Sequence, residues 1–182
     1  TCALPICRME RRPRPVADAA VVAPCDGVIA AAGPIVDGTL VQAKGRTYSV
    51  AELVTLPSLA AALAGGAFVT TYLSPRDYHR VHTPVDGSLV GYHYVPGQRW
   101  PVSGRFMRHV DRLLAVNERV VIELATAWGP AAIVMVAASG VGNMWLSHVQ
   151  SDTRVWHATG EPRHVSVSPV ELTAGDELGS FL

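Results

Sequence analysis

Lysine and cysteine are scarce in this sequence. Lys44 is the only lysine among 182 residues, and arginine supplies almost all of the basic charge. An enzyme that uses pyridoxal phosphate needs a lysine for its Schiff base, so an enzyme of that class could draw only on Lys44. Cys2, Cys7 and Cys25 have no Cys-x-x-Cys spacing, and an odd number cannot all pair, which indicates a reducing compartment. Cys25 could be a nucleophile beside Asp26, but a small buried residue in a turn is the favoured interpretation.

The chain also has no formal net charge at pH 7. The formal net charge is +0 and the sequence pI is about 7.0, so the sequence gives no electrostatic reason to expect a nucleic-acid partner. Residues 1–15 contain prolines and arginines without the apolar stretch of a signal peptide, and we expect a disordered or non-native remnant there. The uncharged run from Leu124 to Gly142 approaches the length of a membrane span. Gly129-Pro130 divides it, which favours a buried hairpin instead.

Short apolar segments and frequent turn residues dominate the remainder. With 182 residues, 49% of them hydrophobic, the chain can form one domain with a substantial core. The expected strands are Ala19–Ala32 (broken by a turn), Gly38–Ala43 (followed by a turn at Lys44-Gly45), Ala67–Leu73 (buried), Ser88–Val95, Val116–Ala127, Ala131–Ser139 and Val141–Leu146 (both continuing the sheet) and His164–Leu172. Ser49 and Glu52 form a capping box, which predicts a short helix near residues 49–64, and Trp100 to Leu114 is expected to be irregular. The pattern predicts a β-rich α+β domain, a sandwich or barrel-like antiparallel sheet structure.

Two turns repeat the same chemistry. Pro24-Cys25-Asp26-Gly27 and Pro84-Val85-Asp86-Gly87 are both followed by apolar residues. Asp-Gly is a common hairpin turn, so the repetition predicts a pair of related β-hairpins. The carboxylate of each aspartate could simply accept hydrogen bonds from its own turn.

The stretch from Tyr72 to Pro84 concentrates groups that bind protons or anions. Its charged and titratable residues are Arg76, Asp77, His79, Arg80 and His82. Proline disfavours helix in the residue before it, so any helical turn must lie between Pro75 and Pro84, and such a turn would direct both histidines into one cavity. This predicts a site that handles protons or binds an anion. A His-x-x-His metal pair and an incidentally charged surface loop are the alternatives.

The same stretch resembles the signature of phosphatidylserine decarboxylases, which depend on a pyruvoyl group and make phosphatidylethanolamine. Four more segments resemble that family in order and spacing: Pro24–Ile29, Leu40–Ser49, Val95–Gly97 and Asn117–Val120. The resemblance covers Val16 to Leu182 and implies a single catalytic domain over residues 16–182. Additional partly apolar helices begin full-length members of the family, so the chain is expected to be truncated at its start.

A pyruvoyl group forms in this family when a serine attacks the carbonyl of the glycine before it and the resulting ester eliminates. Gly179-Ser180 offers such a pair. In the family pattern, however, two residues separate a phenylalanine from the Gly-Ser of the cleavage motif, and Phe181 fits that phenylalanine. The resemblance therefore implies a pyruvoyl serine three residues beyond Leu182, on a small C-terminal chain, with Ser180 as the alternative.

The resemblance also implies roles for individual residues. Asp26 and His82 match the aspartate and histidine that act with the processed serine in self-cleavage, and His79 matches the histidine that acts in decarboxylation. Arg76 and Arg80 are candidates for binding substrate oxyanions, or else for pairing with Asp77.

The other histidines have no ligand spacing and are interpreted as surface or core residues: His93, His109, His148, His157 and His164. The implied partners are the small chain, phosphatidylserine, a membrane surface on its cytoplasmic side and a possible second copy, with no metal. The remaining alternatives are a zinc metallopeptidase-like site on His79 and His82, which lacks a third ligand, and a non-enzymatic β-sandwich carrier module.

Overall fold

The structure is a computed structural model that describes residues 18–41, 46–103 and 106–182. Its strands are β1 (Val28–Pro34), β2 (Thr39–Val41), β3 (Thr47–Ser49), β4 (Ala67–Tyr72), β5 (Arg80–His82), β6 (Gly87–Val95), β7 (Arg119–Thr126), β8 (Gly129–Val136), β9 (Met144–Leu146), β10 (Ser151–Asp152), β11 (Arg163–Leu172) and β12 (Glu177–Phe181). Its helices are α1 (Val50–Val54), α2 (Pro57–Ala62), α3 (Phe106–His109), α4 (Leu113–Val116) and α5 (Thr153–Thr159). The expected N-terminal remnant and the turn at Lys44-Gly45 lie outside the described residues.

Antiparallel sheets build most of the molecule. One four-stranded sheet has the order β11-β6-β7-β8 and a second has the order β10-β9-β12-β5, while β1 pairs with β4 and β2 with β3. The main core joins the two larger sheets, because Tyr92 and Ile122 of the first pack in one cluster with Leu146 and Leu178 of the second. The prediction of a β-rich α+β fold with antiparallel sheets is confirmed, and the described strands form no closed barrel.

A second core lies beneath the short helices. Leu53 of α1 and Leu59 of α2 pack there with Tyr48 and with Val121 of β7. Helix α1 begins at the predicted cap, where the Ser49 hydroxyl accepts a hydrogen bond from the Glu52 N–H at 3.4 Å. The predicted helix near residues 49–64 is divided in two, because Thr55 adopts a left-handed conformation before Pro57 starts α2.

A hairpin does form within the run from Leu124 to Gly142, but its turn lies two residues before the predicted Gly129-Pro130, which belongs to β8. Strands β7 and β8 pair in continuous register to Thr126↔Gly129, so the turn consists of Ala127 and Trp128. Gly129 has φ +105°, a conformation that suits glycine directly after the turn. No helix among the described segments is long and apolar enough to span a bilayer.

The prediction of hairpins at the two Pro-x-Asp-Gly turns is wrong. Residues 18–23 contain no strand, β1 pairs with β4, and β6 pairs with β7 and β11. The two turn segments bond to each other instead: the Val22 N–H donates to the Pro84 carbonyl and the His82 N–H donates to the Pro24 carbonyl, both at 2.8 Å. Each turn therefore anchors the other across the fold.

Three smaller predictions also need correction. The segment Ala67–Leu73 was expected to be buried, but β4 belongs to an exposed two-stranded sheet and Val69 is 63% exposed. The segment from Trp100 to Leu114 was expected to be irregular, yet it contains α3 and the start of α4. Strand β9 does not continue the sheet of β8, because it pairs with β10 and β12 in the second sheet.

Candidate functional site

The histidine stretch consists of a turn followed by a strand. The turn at Pro75–Asp77 is closed by Asp77, whose N–H donates to the Ser74 carbonyl and whose carboxylate accepts the Ser74 N–H at 2.7 Å. The hydrogen bonding of Ser74 to the carboxylate holds the pKa of Asp77 below its usual value. The predicted helical turn carrying both histidines is therefore wrong, because β5 begins at Arg80 and pairs with β12. Asp77 caps the turn and, among the described residues, forms no ion pair with Arg76 or Arg80.

His82 is almost completely buried, with 4% of its surface exposed. Its Nδ1 lies 2.8 Å from the carbonyl oxygen of Gly175, and its Nε2 lies 3.4 Å from the hydroxyl of Tyr78. The Tyr78 ring stacks on the imidazole with 5.9 Å between centroids. Because a carbonyl can only accept, Nδ1 must carry the proton of the neutral ring, which leaves the lone pair on Nε2. His82 can therefore act as a base through Nε2.

His79 is half-buried and is fixed in a similar way. Its Nδ1 lies 2.7 Å from the carbonyl oxygen of Asp77, so Nδ1 again carries the proton in the neutral ring. The ring of Phe181 meets the imidazole edge-on at 6.4 Å, and the Phe181 N–H donates to the His79 carbonyl at 2.9 Å. The end of β12 therefore lies directly beside His79.

Asp26 lies in the turn that bonds to the His82 backbone through Pro24. Its side chain is exposed, and its charge acts together with that of Asp77 on the thiol of Cys25. Burial is the main cause that raises the pKa of Cys25 to about 11, and the two carboxylates raise it further. A thiol with this pKa is a poor nucleophile at neutral pH, which agrees with a packing role for Cys25.

Gly27 fixes that turn against the end of β4. Its φ is +122°, and a Cβ atom at this position would lie 2.4 Å from the carbonyl oxygen of Tyr72. Only glycine fits such a close approach. The turn with Asp26, the end of β4 and the end of β5 therefore meet in one place.

The two candidate arginines have different surroundings. Arg80 donates to the Glu177 carboxylate at 2.6 Å, which raises the pKa of Arg80. Glu177 also accepts a hydrogen bond from Ser147 at 3.2 Å. Arg76 is exposed and forms no hydrogen bond or ion pair with any residue in the described part of the chain. Arg76 is therefore the better placed of the two to bind an added anion.

Ser180 lies inside a strand that is paired on both sides. It is opposite Arg80 of β5 and Trp145 of β9. Its neighbour Gly179 is equally confined, because a Cβ atom there would lie 2.5 Å from the Trp145 carbonyl oxygen. Attack by Ser180 on Gly179 would require this central strand to leave its sheet.

A buried polar group that the sequence did not reveal lies at the start of β7. Glu118 is fully buried and accepts from Arg99 at 2.5 Å, from Tyr94 at 3.2 Å and from His157 at 3.0 Å in the protonated state. Beside it, Arg119 is 2% exposed and donates to four backbone carbonyls. The only signal in the sequence is the run of three polar residues that begins at Asn117, directly before a strongly apolar strand. His157 therefore has a specific partner that its isolated position in the sequence did not suggest.

The remaining histidines of the described segments have separate surroundings. His93 lies 3.0 Å from the Thr55 hydroxyl and 6.0 Å, ring to ring, from His164, and burial lowers the pKa of His93. His148 contacts the Glu177 carbonyl at 3.2 Å. Across residues 18–41, 46–103 and 106–182, no three His, Cys, Asp or Glu side chains are arranged to hold a metal ion.

Comparisons with known proteins give a consistent match. The family profile described as phosphatidylserine decarboxylase matches residues 5–182. A phosphatidylserine decarboxylase proenzyme from Acidovorax ebreus is 45% identical over 93% of this chain and 60% of its own length. Proteins of the same name from Anaeromyxobacter sp. and Brevibacillus brevis are 42% and 40% identical, over 92% and 96% of this chain and 61% and 63% of theirs. The chain thus spans about three fifths of the length of these relatives.

Proposed function

Because this chain belongs to the phosphatidylserine decarboxylase family, we propose that it is the larger part of a proenzyme that cleaves itself and then converts phosphatidylserine to phosphatidylethanolamine and CO2. Residues 16–182 act in this proposal as one catalytic domain. The observation that carries the proposal is the pairing of β5 with β12, which brings Phe181 to His79, while His82 is buried with its Nδ1 oriented by the Gly175 carbonyl.

Self-cleavage needs a base that can take the proton of a serine hydroxyl. His82 has this role in the proposal, through Nε2, and Asp26 stabilises the imidazolium that forms. The role of Asp26 is supported by the bond between its turn and the His82 backbone, in which the Pro24 carbonyl accepts the His82 N–H. A fully formed charge on the ring would otherwise be costly in so buried a position.

We place the serine three residues beyond Leu182, on the small partner chain. Three extended residues span about 10 Å, and in this proposal they turn back toward His82, which is opposite Glu177 at the start of β12. Leu182 is fixed by its N–H, which donates to the Asn143 carbonyl at 2.8 Å. The alternative, Ser180, would have to break two strand pairings first.

The residues present fit a pyruvoyl group formed beside the end of β12. Such a group supplies an electron sink for the carbanion that remains when CO2 departs. His79, whose Nδ1 donates to the Asp77 carbonyl, has the role of giving the substrate a proton from Nε2 when its ring is in the imidazolium form. Arg76 binds the phosphate or carboxylate of the substrate, and Arg80 instead holds Glu177 and thereby the β5–β12 pairing. The proposed setting is a membrane surface on its cytoplasmic side, where the substrate is a lipid.

The first experiment follows cleavage of the full-length proenzyme on a denaturing gel. His82→Ala and Asp26→Ala are expected to remain uncut because the serine proton has no effective acceptor. His164→Ala, a histidine on the exposed part of β11, is the matched control and should be cut like the wild type. Efficient cleavage of His82→Ala would overturn the assignment.

A second experiment separates cleavage from turnover. His79→Ala should be cut normally but form phosphatidylethanolamine from phosphatidylserine at least about a hundredfold more slowly, the scale of a lost acid-base catalyst. Mass spectrometry of the small chain should find an N-terminal pyruvoyl group. Ser180→Ala should also be cut; an uncut Ser180→Ala protein would make Ser180 the nucleophile.

A further inference from the structure

The residue that follows β12 is held by the residue that precedes β9. The Leu182 N–H donates to the Asn143 carbonyl at 2.8 Å, and β9 begins with the next residue, Met144. Within the sheet, Phe181 is opposite Met144. The bond at Asn143 therefore extends the pairing of β9 with β12 by one residue and fixes the direction in which the chain leaves β12.

Asn143 is itself fixed from two sides. On one side, the Arg99 Nη2 donates to the Asn143 Oδ1 at 3.2 Å. Gly142 packs on the same arginine, because a Cβ atom at Gly142 would lie 2.7 Å from the Cδ, Nε and Nη1 atoms of Arg99. On the other side, the buried Thr153 hydroxyl accepts the Met144 N–H at 3.0 Å. Arg99 therefore sets the position of the chain directly before the carbonyl that holds Leu182.

The position of Arg99 is determined by Glu118. The Arg99 Nε donates to the Glu118 carboxylate at 2.5 Å, and that carboxylate has no solvent exposure. A buried carboxylate needs a cation beside it, so the Arg99 guanidinium is confined to this position. The backbone adds a further tie, because the Glu118 N–H donates to the Gln98 carbonyl at 2.7 Å. The start of β7 therefore fixes Arg99, and through it Asn143.

We propose that Arg99 is a positioning residue for self-cleavage, because it fixes Asn143 and thereby the chain at Leu182, which leads to the scissile bond. This inference rests on the proposed function, which places the pyruvoyl serine three residues beyond Leu182. A short connection can take many conformations, and fixing its near end raises the fraction in which the serine hydroxyl is placed to react. Arg99 touches no reacting atom and acts only through Asn143.

The test compares two substitutions of Asn143 in the full-length proenzyme and follows the rate of self-cleavage on denaturing gels. Asn143→Ala removes the acceptor for Arg99 but keeps the backbone carbonyl that holds Leu182. Cleavage should become at least about tenfold slower, because a displacement of about 1 Å at a reacting group can cost about a hundredfold in rate. Asn143→Asp keeps an oxygen that accepts from the guanidinium, so this conservative variant should be cut like the wild type.

Ile35→Val is the matched control for stability. Ile35 is 6% exposed in the second core, and the loss of one carbon atom there costs about as much stability as the loss of one hydrogen bond. The urea midpoint of this control should fall with that of Asn143→Ala, while its cleavage rate stays at the wild-type value. Hydrogen–deuterium exchange of the Leu182 amide should be faster in Asn143→Ala than in the control or the wild type.

Three results would overturn the inference. Cleavage of Asn143→Ala at the wild-type rate would leave Thr153 as the residue that fixes this part of the chain. Equal slowing of Asn143→Asp would show that the acceptor for Arg99 does not matter, and equal slowing of Ile35→Val would show that cleavage follows stability alone. If the wild-type proenzyme is not cut, the proposed function fails, whereas exchange of the Leu182 amide still decides whether Arg99 and Asn143 fix the chain.

Discussion

Replacing Glu118 with glutamine tests whether the buried network at the start of β7 stabilises the fold. The carboxylate has no solvent exposure and its two oxygens accept from Arg99, Tyr94 and, when the ring is protonated, His157. Glutamine keeps the size of the side chain but removes the charge and turns one acceptor into a donor. The Arg99 guanidinium then loses its counter-ion, and its donor faces an amide group that cannot replace both oxygens.

The expected cost follows from the burial of the two partners. Breaking a fully buried ion pair costs about 3–5 kcal/mol, because an uncompensated charge remains. The Arg99 side chain is 29% exposed, so water relieves part of that penalty and about 2–4 kcal/mol is expected. For a domain of this size each kcal/mol lowers the melting temperature by about 2–4 °C, so the midpoint should fall by roughly 4–16 °C.

The measurement is thermal and urea unfolding of the purified protein, followed by circular dichroism. Arg112→Gln is the matched control, because it removes an exposed ion pair with Glu52 in which both side chains are about half exposed. That loss should cost under about 1 kcal/mol. If Glu118→Gln were no more destabilising than the control, the buried network would not be a source of stability.

Three further substitutions or treatments test other parts of the structure. Gly27→Ala should prevent maturation on a denaturing gel, because the new Cβ would lie 2.4 Å from the Tyr72 carbonyl oxygen at φ +122°; normal cleavage would contradict the tight turn. Cys25 should react slowly with iodoacetamide at pH 8 in peptide-resolved mass spectrometry, since its pKa is raised to about 11, and stability from the protonated thiol should be full below pH 9 and lost as the pH rises to 11. Rapid labelling of the folded protein would refute this. Arg119→Lys should lower the free energy of unfolding by about 2–3 kcal/mol in urea titrations, because lysine cannot bond at once to Leu53 and three other backbone carbonyls; an unchanged midpoint would contradict it.

Local patterns in the sequence predicted the parts of the fold that depend on local contacts. The hairpin of β7 and β8 was predictable because two apolar runs flank a short turn, and helix α1 was predictable from its capping box. The prediction of hairpins at the two Pro-x-Asp-Gly turns failed because the hydrogen bonds of these turns are not local. Pro24 and Pro84 accept their hydrogen bonds from His82 and Val22, and nothing in either short segment specifies a partner about sixty residues away.

In the candidate site, too, local patterns were predictable and distant contacts were not. The clustering of His79 and His82 led to the prediction that the stretch is functional, and the resemblance to the decarboxylase family supplied proposed roles. The groups that orient the two rings were not predictable: the Gly175 carbonyl is 93 residues from His82, and a backbone oxygen has no signature in a sequence. The separation of roles between Arg76 and Arg80 likewise depended on Glu177, which only the β5–β12 pairing brings near.

The position of β12 between β5 and β9 has a consequence for the order in which the domain folds during synthesis. Arg80 and Glu177 are 97 residues apart, so the ribosome finishes the histidine strand long before it makes the strand that completes its sheet. Until residues 177–181 have emerged, His82 has neither its neighbouring strand nor the Gly175 carbonyl that orients its ring. The surroundings of His82 are therefore completed only after β12 has been made and has paired with β5.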